Sequence, residues 1–321
     1  MTMQQPLVEV KNLKVEFTKG GKTVSAVAGV SFEIYQGETL GLVGESGCGK
    51  STTGRALMRI VESNGGEVLL DGNDILKING SKLRAARARM QMIFQDPISS
   101  LNPRRRIKDI VAEPIDIWKS YEGHERDARV AELLNRVGID PTVYGNRYAR
   151  QFSGGQCQRI SIARALAMHP QMLICDEVVS SLDVSIQAQI LNLLEELKAE
   201  YGLTMLFIAH DLAVVKNISD RVAVMYLGRM CEIATSEALY ATPAHPYTKL
   251  LLSAVLEADP DSVPNTSVVS GEPPSPMDPP SGCRFRTRCP YATELCAREV
   301  PELREVAPGQ QVACHYPLVG Q

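Results

Sequence analysis

The octapeptide Gly44-Glu45-Ser46-Gly47-Cys48-Gly49-Lys50-Ser51 constrains this chain more than any other stretch of it. It fits G-x-x-x-x-G-K-[ST] and follows an apolar predicted strand, ETLGLVG at 38–44. A predicted helix begins near Lys50. Glycines in such a turn let backbone N–H groups close around phosphate oxygens with no Cβ in the way. The Lys50 ammonium can neutralise β- and γ-phosphates, the Ser51 hydroxyl can ligate Mg²⁺, and the helix N-terminus adds a favourable dipole. Residues Gly44 to Thr52 are therefore the expected phosphate-binding set, and a strand feeding such a loop and helix opens an α/β fold.

Other segments extend that fold. Residues 8–17 (VEVKNLKVEF) and 25–35 (SAVAGVSFEIY) alternate apolar and polar, as half-buried strands do. Residues 66–72 and 90–95 read as further strands, and the period turns helical from about Ser100 to Ala167. The runs 172–176 (MLICD) and 204–209 (TMLFIA) are almost wholly apolar and flank a helical stretch. Such strands, separated by helices, are parallel and buried on both faces. The expectation is an α/β core with an N-terminal antiparallel layer and an inserted helical subdomain. From Asp259 to Gly282 proline and serine dominate, which excludes a continuous helix and predicts an extended strap. There is no internal repeat.

The second chemical element is Met172-Leu173-Ile174-Cys175-Asp176, an apolar strand ending in a carboxylate, with Glu177 next. Asp176 is placed to hold Mg²⁺ and Glu177 to polarise an attacking water. Ser153-Gly154-Gly155-Gln156 lies between this strand and the phosphate loop in sequence. It opens a predicted helix, with Ser153 a good N-cap, and offers another anion-binding N-terminus.

With these residues in order, the chain resembles the nucleotide-binding subunits of ABC transporters over roughly residues 7–240. SGGQ is that family's signature sequence. The resemblance implies that Gln95 in MIFQDP is the Q-loop glutamine, contacting Mg²⁺ and a transmembrane partner. It implies that Ser181-Leu182-Asp183 is the D-loop, that His210 in FIAHD is the switch histidine at the γ-phosphate, and that Phe17 stacks on adenine. ATP and Mg²⁺ are the implied ligands, with ATP on Gly44–Ser51 of one subunit closed over by SGGQ of another. Two positions depart from the pattern. Cys157 stands where Arg commonly follows SGGQ, and Val178 where Pro commonly follows the catalytic Glu. On this reading an ABC ATPase domain spans residues 7–258, with its helical subdomain at about 100–167. A proline-rich strap and cysteine-bearing C-terminal extension occupies 259–321.

QDPISSLNPRRRI after Gln95, the segment Thr242-Pro243-Ala244-His245-Pro246-Tyr247-Thr248 and the C-terminal cysteines together resemble ATPase subunits of bacterial oligopeptide and dipeptide importers. Importers for nickel, opines and other small solutes are the alternative. FSGGQCQRI and SSLDVSIQAQI look more like the second ATPase subunit of such systems than the first. The implied partners are a sister ATPase in a heterodimer, two transmembrane permease subunits and a separate periplasmic or lipoprotein solute-binding protein. The implied place is the cytoplasmic face of a bacterial membrane. The sequence has no apolar run of eighteen residues or more to span a bilayer, and MTMQQPLVEV is no signal peptide. A net charge of −3 over 321 residues argues against a nucleic-acid partner.

Four of the eight cysteines, Cys48, Cys157, Cys175 and Cys231, are scattered; Cys283, Cys289, Cys296 and Cys314 crowd together with spacing C-x₅-C-x₆-C-x₁₇-C. In a reducing cytosol such a cluster is more often a metal site than a disulfide framework. Four thiolates suit zinc or a cubane iron–sulfur cluster. Structural zinc favours paired C-x₂₋₄-C knuckles, and this spacing has none, so a 4Fe-4S cluster is expected; the resemblance points the same way. Zinc and unligated thiols are the alternatives. Arg284, Arg286 and Arg288 are placed to offset the cluster's charge.

Overall fold

A computed structural model of the chain describes residues 5–253, 272 and 274–319. The strap expected at 259–282 thus lies mostly outside the described residues. Two compact units result, one from residues 1–77 with 207–321 and the other from 78–206.

The first unit begins with β1 (Pro6–Lys19), β2 (Lys22–Tyr35), β3 (Thr39–Val43), α1 (Lys50–Leu57), β4 (Gly65–Leu70) and β5 (Asn73–Asp74). Alternation in β1 buries Val8, Val10, Leu13 and Val15. It pairs antiparallel with β2 and β4, which gives a four-stranded layer ordered β2-β1-β4-β5. This is the expected N-terminal antiparallel layer. Every residue of β3 is buried, as its unbroken apolar run requires.

The second unit contains α2 (Gly80–Arg89), β6 (Met90–Ile93), α3 (Pro97–Ser100), α4 (Ile107–Trp118), α5 (Gly123–Arg136), α6 (Pro141–Tyr144), α7 (Gly154–Leu166), β7 (Met172–Asp176) and α8 (Val184–Tyr201). Strands β6 and β7 run parallel, Met90 opposite Met172 and Ile93 opposite Cys175. The helices α3 to α7 fill the stretch whose period turned helical. Arg164 donates to the Ser100 carbonyl at 2.7 Å, tying α7 to α3.

The chain returns to the first unit within β8 (Thr204–Ile208). There follow α9 (Leu212–Ile218), β9 (Arg221–Tyr226), β10 (Arg229–Thr235), α10 (Ser236–Ala241), α11 (Pro246–Ser253), α12 (Glu294–Arg298), β11 (Arg304–Ala307) and β12 (Gln310–Val312). β3 pairs parallel with β9, β9 antiparallel with β10, and β10 with β12, so the sheet is mixed. The β9–β10 hairpin escapes the sequence reading because its turn is Leu227-Gly228 rather than the usual Asn-Gly. Both residues nonetheless take the positive φ, 43° and 80°, that a two-residue hairpin needs.

The described C-terminal residues are built into this unit. β12 adds to β10, and Phe285 is buried against Tyr226 and Tyr247, with ring centroids 5.3 Å away in both cases. Glu232 of β10, wholly buried, accepts hydrogen bonds from the Ala244 and His245 amides and from Gln310 Nε2, at 2.8 to 2.9 Å. One carboxylate thereby fastens the His-Pro-Tyr segment and the C-terminal hairpin to the sheet.

His245 accepts from the Tyr247 amide through Nδ1 at 3.0 Å, and burial lowers its pKa from 6.5 to about 4. The unfolded chain takes up this proton near pH 6.5 and the folded chain only near pH 4. His245 therefore contributes no pH dependence above about pH 6.5, and stability falls as pH drops from there towards 4. Urea unfolding at about pH 7 and about pH 5 is expected to show about 2 kcal/mol lost through this group. His245→Asn keeps the acceptor and removes that share of the slope; an equal slope in the variant contradicts the assignment.

Candidate nucleotide site

The glycine-rich loop leaves β3 and turns into α1 within the first unit. Gly44 has φ 152°, and a Cβ there would lie 2.1 Å from the Met225 carbonyl oxygen. Gly49 has φ 104°, and its Cβ would lie 2.2 Å from that of Ala26. Neither position admits a side chain, so the loop is pressed between β9 and β2 with its backbone forming the inner wall. Lys50, only 4% exposed, donates from Nζ to the carbonyls of Gly44 at 2.7 Å and Glu45 at 3.0 Å. Cys48 is buried, Ser51 and Thr52 are partly exposed, and Ser46 and Gly47 are exposed. The first turn of α1 carries no acidic residue, so no carboxylate within the helix itself opposes an anion at its N-terminus.

The ends of Glu45 are tied down by residues far off in sequence. Its amide donates to Tyr247 Oη at 3.0 Å, and its carboxylate accepts from Arg288 Nη1 at 2.9 and 3.0 Å. Phe17, near the end of β1, is 45% exposed, so its ring is available for stacking rather than spent on the core. His210 is exposed between β8 and the cap of α9, where Asp211 accepts from the Ala213 amide.

The carboxylates stand in the second unit. Asp176 ends β7 and is wholly buried. Glu177 follows with φ 49°, a left-handed conformation that non-glycine residues rarely take. Gln95 Nε2 donates to its Oε2 at 2.7 Å, bringing this glutamine onto the glutamate. Ser153 caps α7 as expected: its Oγ accepts from the Gln156 amide at 3.3 Å and Gln156 Oε1 accepts from the Ser153 amide at 3.0 Å. Gly154 and Gly155 form the first turn. Asp183 is the exposed N-cap residue of α8 and makes no side-chain cap bond. The two departures from pattern point inward. Cys157 is 1% exposed with Sγ on the Ala149 carbonyl, and Val178 is 2% exposed.

Cys283, Cys289, Cys296 and Cys314 line one cavity with Phe285, His245 and His315. Burial raises the thiol pKa of Cys283 and Cys289 and pushes Cys314 to about 11; neighbouring thiols of the set add to each rise. Backbone amides act the other way, favouring thiolate: those of Phe285 and Arg286 on Cys283, Tyr291 on Cys289 and Tyr316 on Cys314. Among the described residues no group of three or more His, Cys, Asp or Glu is placed to hold a metal, so the metal site expected at the four cysteines is not seen as such. The three arginines divide their tasks. Arg286 acts on Cys283, but Arg284 bonds the Leu227 carbonyl and Arg288 reaches Glu45. That last contact was hidden in the sequence, because nothing in the spacing relates residue 288 to residue 45.

Residues 27–180 match the ABC transporter family, and residues 231–296 match the oligopeptide/dipeptide transporter C-terminal region. The oligopeptide transport ATP-binding protein OppF of Escherichia coli is 52% identical over 298 residues, covering 92% of this chain and 89% of that one. AppF of Bacillus subtilis, of the same description, is 50% identical over 323 residues, covering 97% and 98%. The dimeric ATP-binding cassette MJ0796, solved in a post-hydrolysis state with ADP and Pi, is 28% identical. It aligns with a TM-score of 0.65 over 71% of this chain and 98% of that one. A closed phosphate loop, a buried strand-end aspartate followed by a clamped glutamate, and this identity along nearly the whole length make the chain an ATPase that belongs to the ABC transporter family, with the oligopeptide/dipeptide transporter C-terminal region.

Proposed function

We propose that this ATPase energises import of peptides through a membrane ABC transporter, as the second of two sister ATPase subunits. The clamp of Gln95 on Glu177 beside the buried Asp176 carries the reading, since it sets a carboxylate for activating water next to one for a metal. Peptide as the cargo is supported by the matched C-terminal region and by the oligopeptide relatives.

The roles follow from the residue chemistry. The backbone of Gly44 to Thr52 and the Lys50 ammonium bind phosphates, and Phe17 stacks on adenine. Ser51, Asp176 and Gln95 are the Mg²⁺ ligands; the ion, when bound, neutralises phosphate charge. Glu177 is the general base and His210 contacts the γ-phosphate. Ser153, Gly154, Gly155, Gln156 and Asp183 serve the partner's nucleotide across a heterodimer of ATPases, a pairing supported by the dimeric MJ0796. Val184, 82% exposed beside Asp183, and Ile98, 58% exposed behind Gln95, are apolar surfaces fit for protein partners. We assign the first to the sister ATPase and the second to the two transmembrane permease subunits, which a solute-binding protein supplies with cargo. Among the described residues no helix is long and apolar enough to cross a membrane, so attachment at the cytoplasmic face runs through those subunits. The ATPase domain is assigned to 7–258, its helical subdomain to about 100–167, and the cysteine region to 259–321.

For the four C-terminal cysteines we propose a 4Fe-4S cluster. Their shared cavity, the amides that favour thiolate, and Arg286, which lines that cavity and acts on Cys283, fit an anionic, thiolate-bound group. Such a cluster, when bound, links four points of a short segment, and its binding free energy becomes folding free energy.

Two outcomes are expected. In the assembled complex with both ATPase sites altered, Glu177→Gln binds ATP and traps the closed dimer, with turnover at least about a hundredfold down; wild-type turnover sinks the assignment. Protein purified without oxygen is brown, absorbs broadly near ~400 nm and holds about four irons per chain. Colourless protein, with zinc or with no metal, contradicts the cluster.

A further inference from the structure

A phosphate loop needs its glycines, its lysine and its hydroxyl; the intervening positions are free to vary. This one carries a carboxylate, Glu45, directly after Gly44. An uncompensated negative charge there opposes a triphosphate. Each polar group of Glu45 is engaged. The amide donates to Tyr247 Oη, the carbonyl accepts from Lys50 Nζ at 3.0 Å, and the carboxylate accepts from Arg288.

Arg288 is itself held. Its side chain is 10% exposed against 27% for Glu45, so solvent screens the pair less than a surface pair. Nη1 also reaches Tyr226 Oη at 3.4 Å, and the guanidinium lies 5.8 Å from the Tyr226 ring centroid and 5.9 Å from that of Phe285. Turn bonds from Arg286 N to the Cys283 carbonyl and from Arg288 N to the Phe285 carbonyl fix the intervening backbone. Cys289 is the next residue.

From this geometry we infer that Arg288 is a positioning residue for the nucleotide, neutralising Glu45 and steadying the carbonyl that orients Lys50. Nucleotide affinity then depends on whether the C-terminal cysteine segment is folded onto the loop. The inference rests on ATP binding at Gly44–Ser51.

The test titrates the full-length chain with a fluorescent ATP analogue and Mg²⁺, so that no hydrolysis is needed. Arg288→Ala is expected to weaken binding about tenfold, the scale of a lost charge-assisted hydrogen bond. The matching ADP analogue, with less charge, loses less. Glu45→Gln, which removes the opposing charge and keeps an acceptor for Arg288, loses less affinity than Arg288→Ala, and a larger loss overturns the inference. Arg288→Ala combined with Glu45→Gln recovers most of the loss, which a merely structural role for Arg288 would not allow. Wild-type affinity in Arg288→Ala, or a double variant no better than Arg288→Ala, overturns the inference. Lys50→Ala is the separate control: if it binds like wild type, the phosphate loop itself is misassigned.

Discussion

The buried ammonium of Lys50 is the interaction on which the first unit turns. It has two carbonyl partners, Gly44 and Glu45, and both lie in a loop that passes too close to β2 and β9 for any side chain at Gly44 or Gly49. A charge so placed requires a loop of one shape, and that shape requires walls. β9 and β2 supply them, held in turn by β10 and by the aromatic packing of Tyr226, Tyr247 and Phe285. The hydrophobic core here acts as a mould for backbone polarity rather than only as a sink for apolar surface.

The sequence was most legible where chemistry and periodicity coincide. Apolar β3 and β7 run straight into Gly44 and Asp176, and buried parallel strands show as unbroken apolar runs. The capping box of Ser153 and Gln156 is likewise local and readable from a spacing of three. What stayed hidden was long-range or unconventional. The Leu227-Gly228 turn lacks the usual residue types, and the ties of Glu45 to Tyr247 and Arg288 join positions about two hundred residues apart. Local pattern carries no record of such pairs.

The substitutions at Cys157 and Val178 illustrate the same boundary. From the sequence each is only a departure from the residue common at that place, Arg and Pro respectively. Both side chains are buried within the second unit, Cys157 on the Ala149 carbonyl, so their effect is on packing. Val178 also follows the left-handed Glu177, where a proline would add its own restriction to the preceding residue. Gln95 instead holds the glutamate from its far end.

The division of the chain has a consequence for biosynthesis. Residues 78–206 form a unit continuous in sequence, whereas the first unit joins residues 1–77 to 207–321. Strand β3 pairs with β9, and Glu232 is satisfied only when Gln310 arrives. During vectorial synthesis the phosphate loop therefore leaves the ribosome before its own wall at Met225 exists. The segment that neutralises Glu45 comes later still. The nascent chain thus holds every residue of the second unit before it holds the walls of the loop, and nucleotide binding becomes a late event of synthesis.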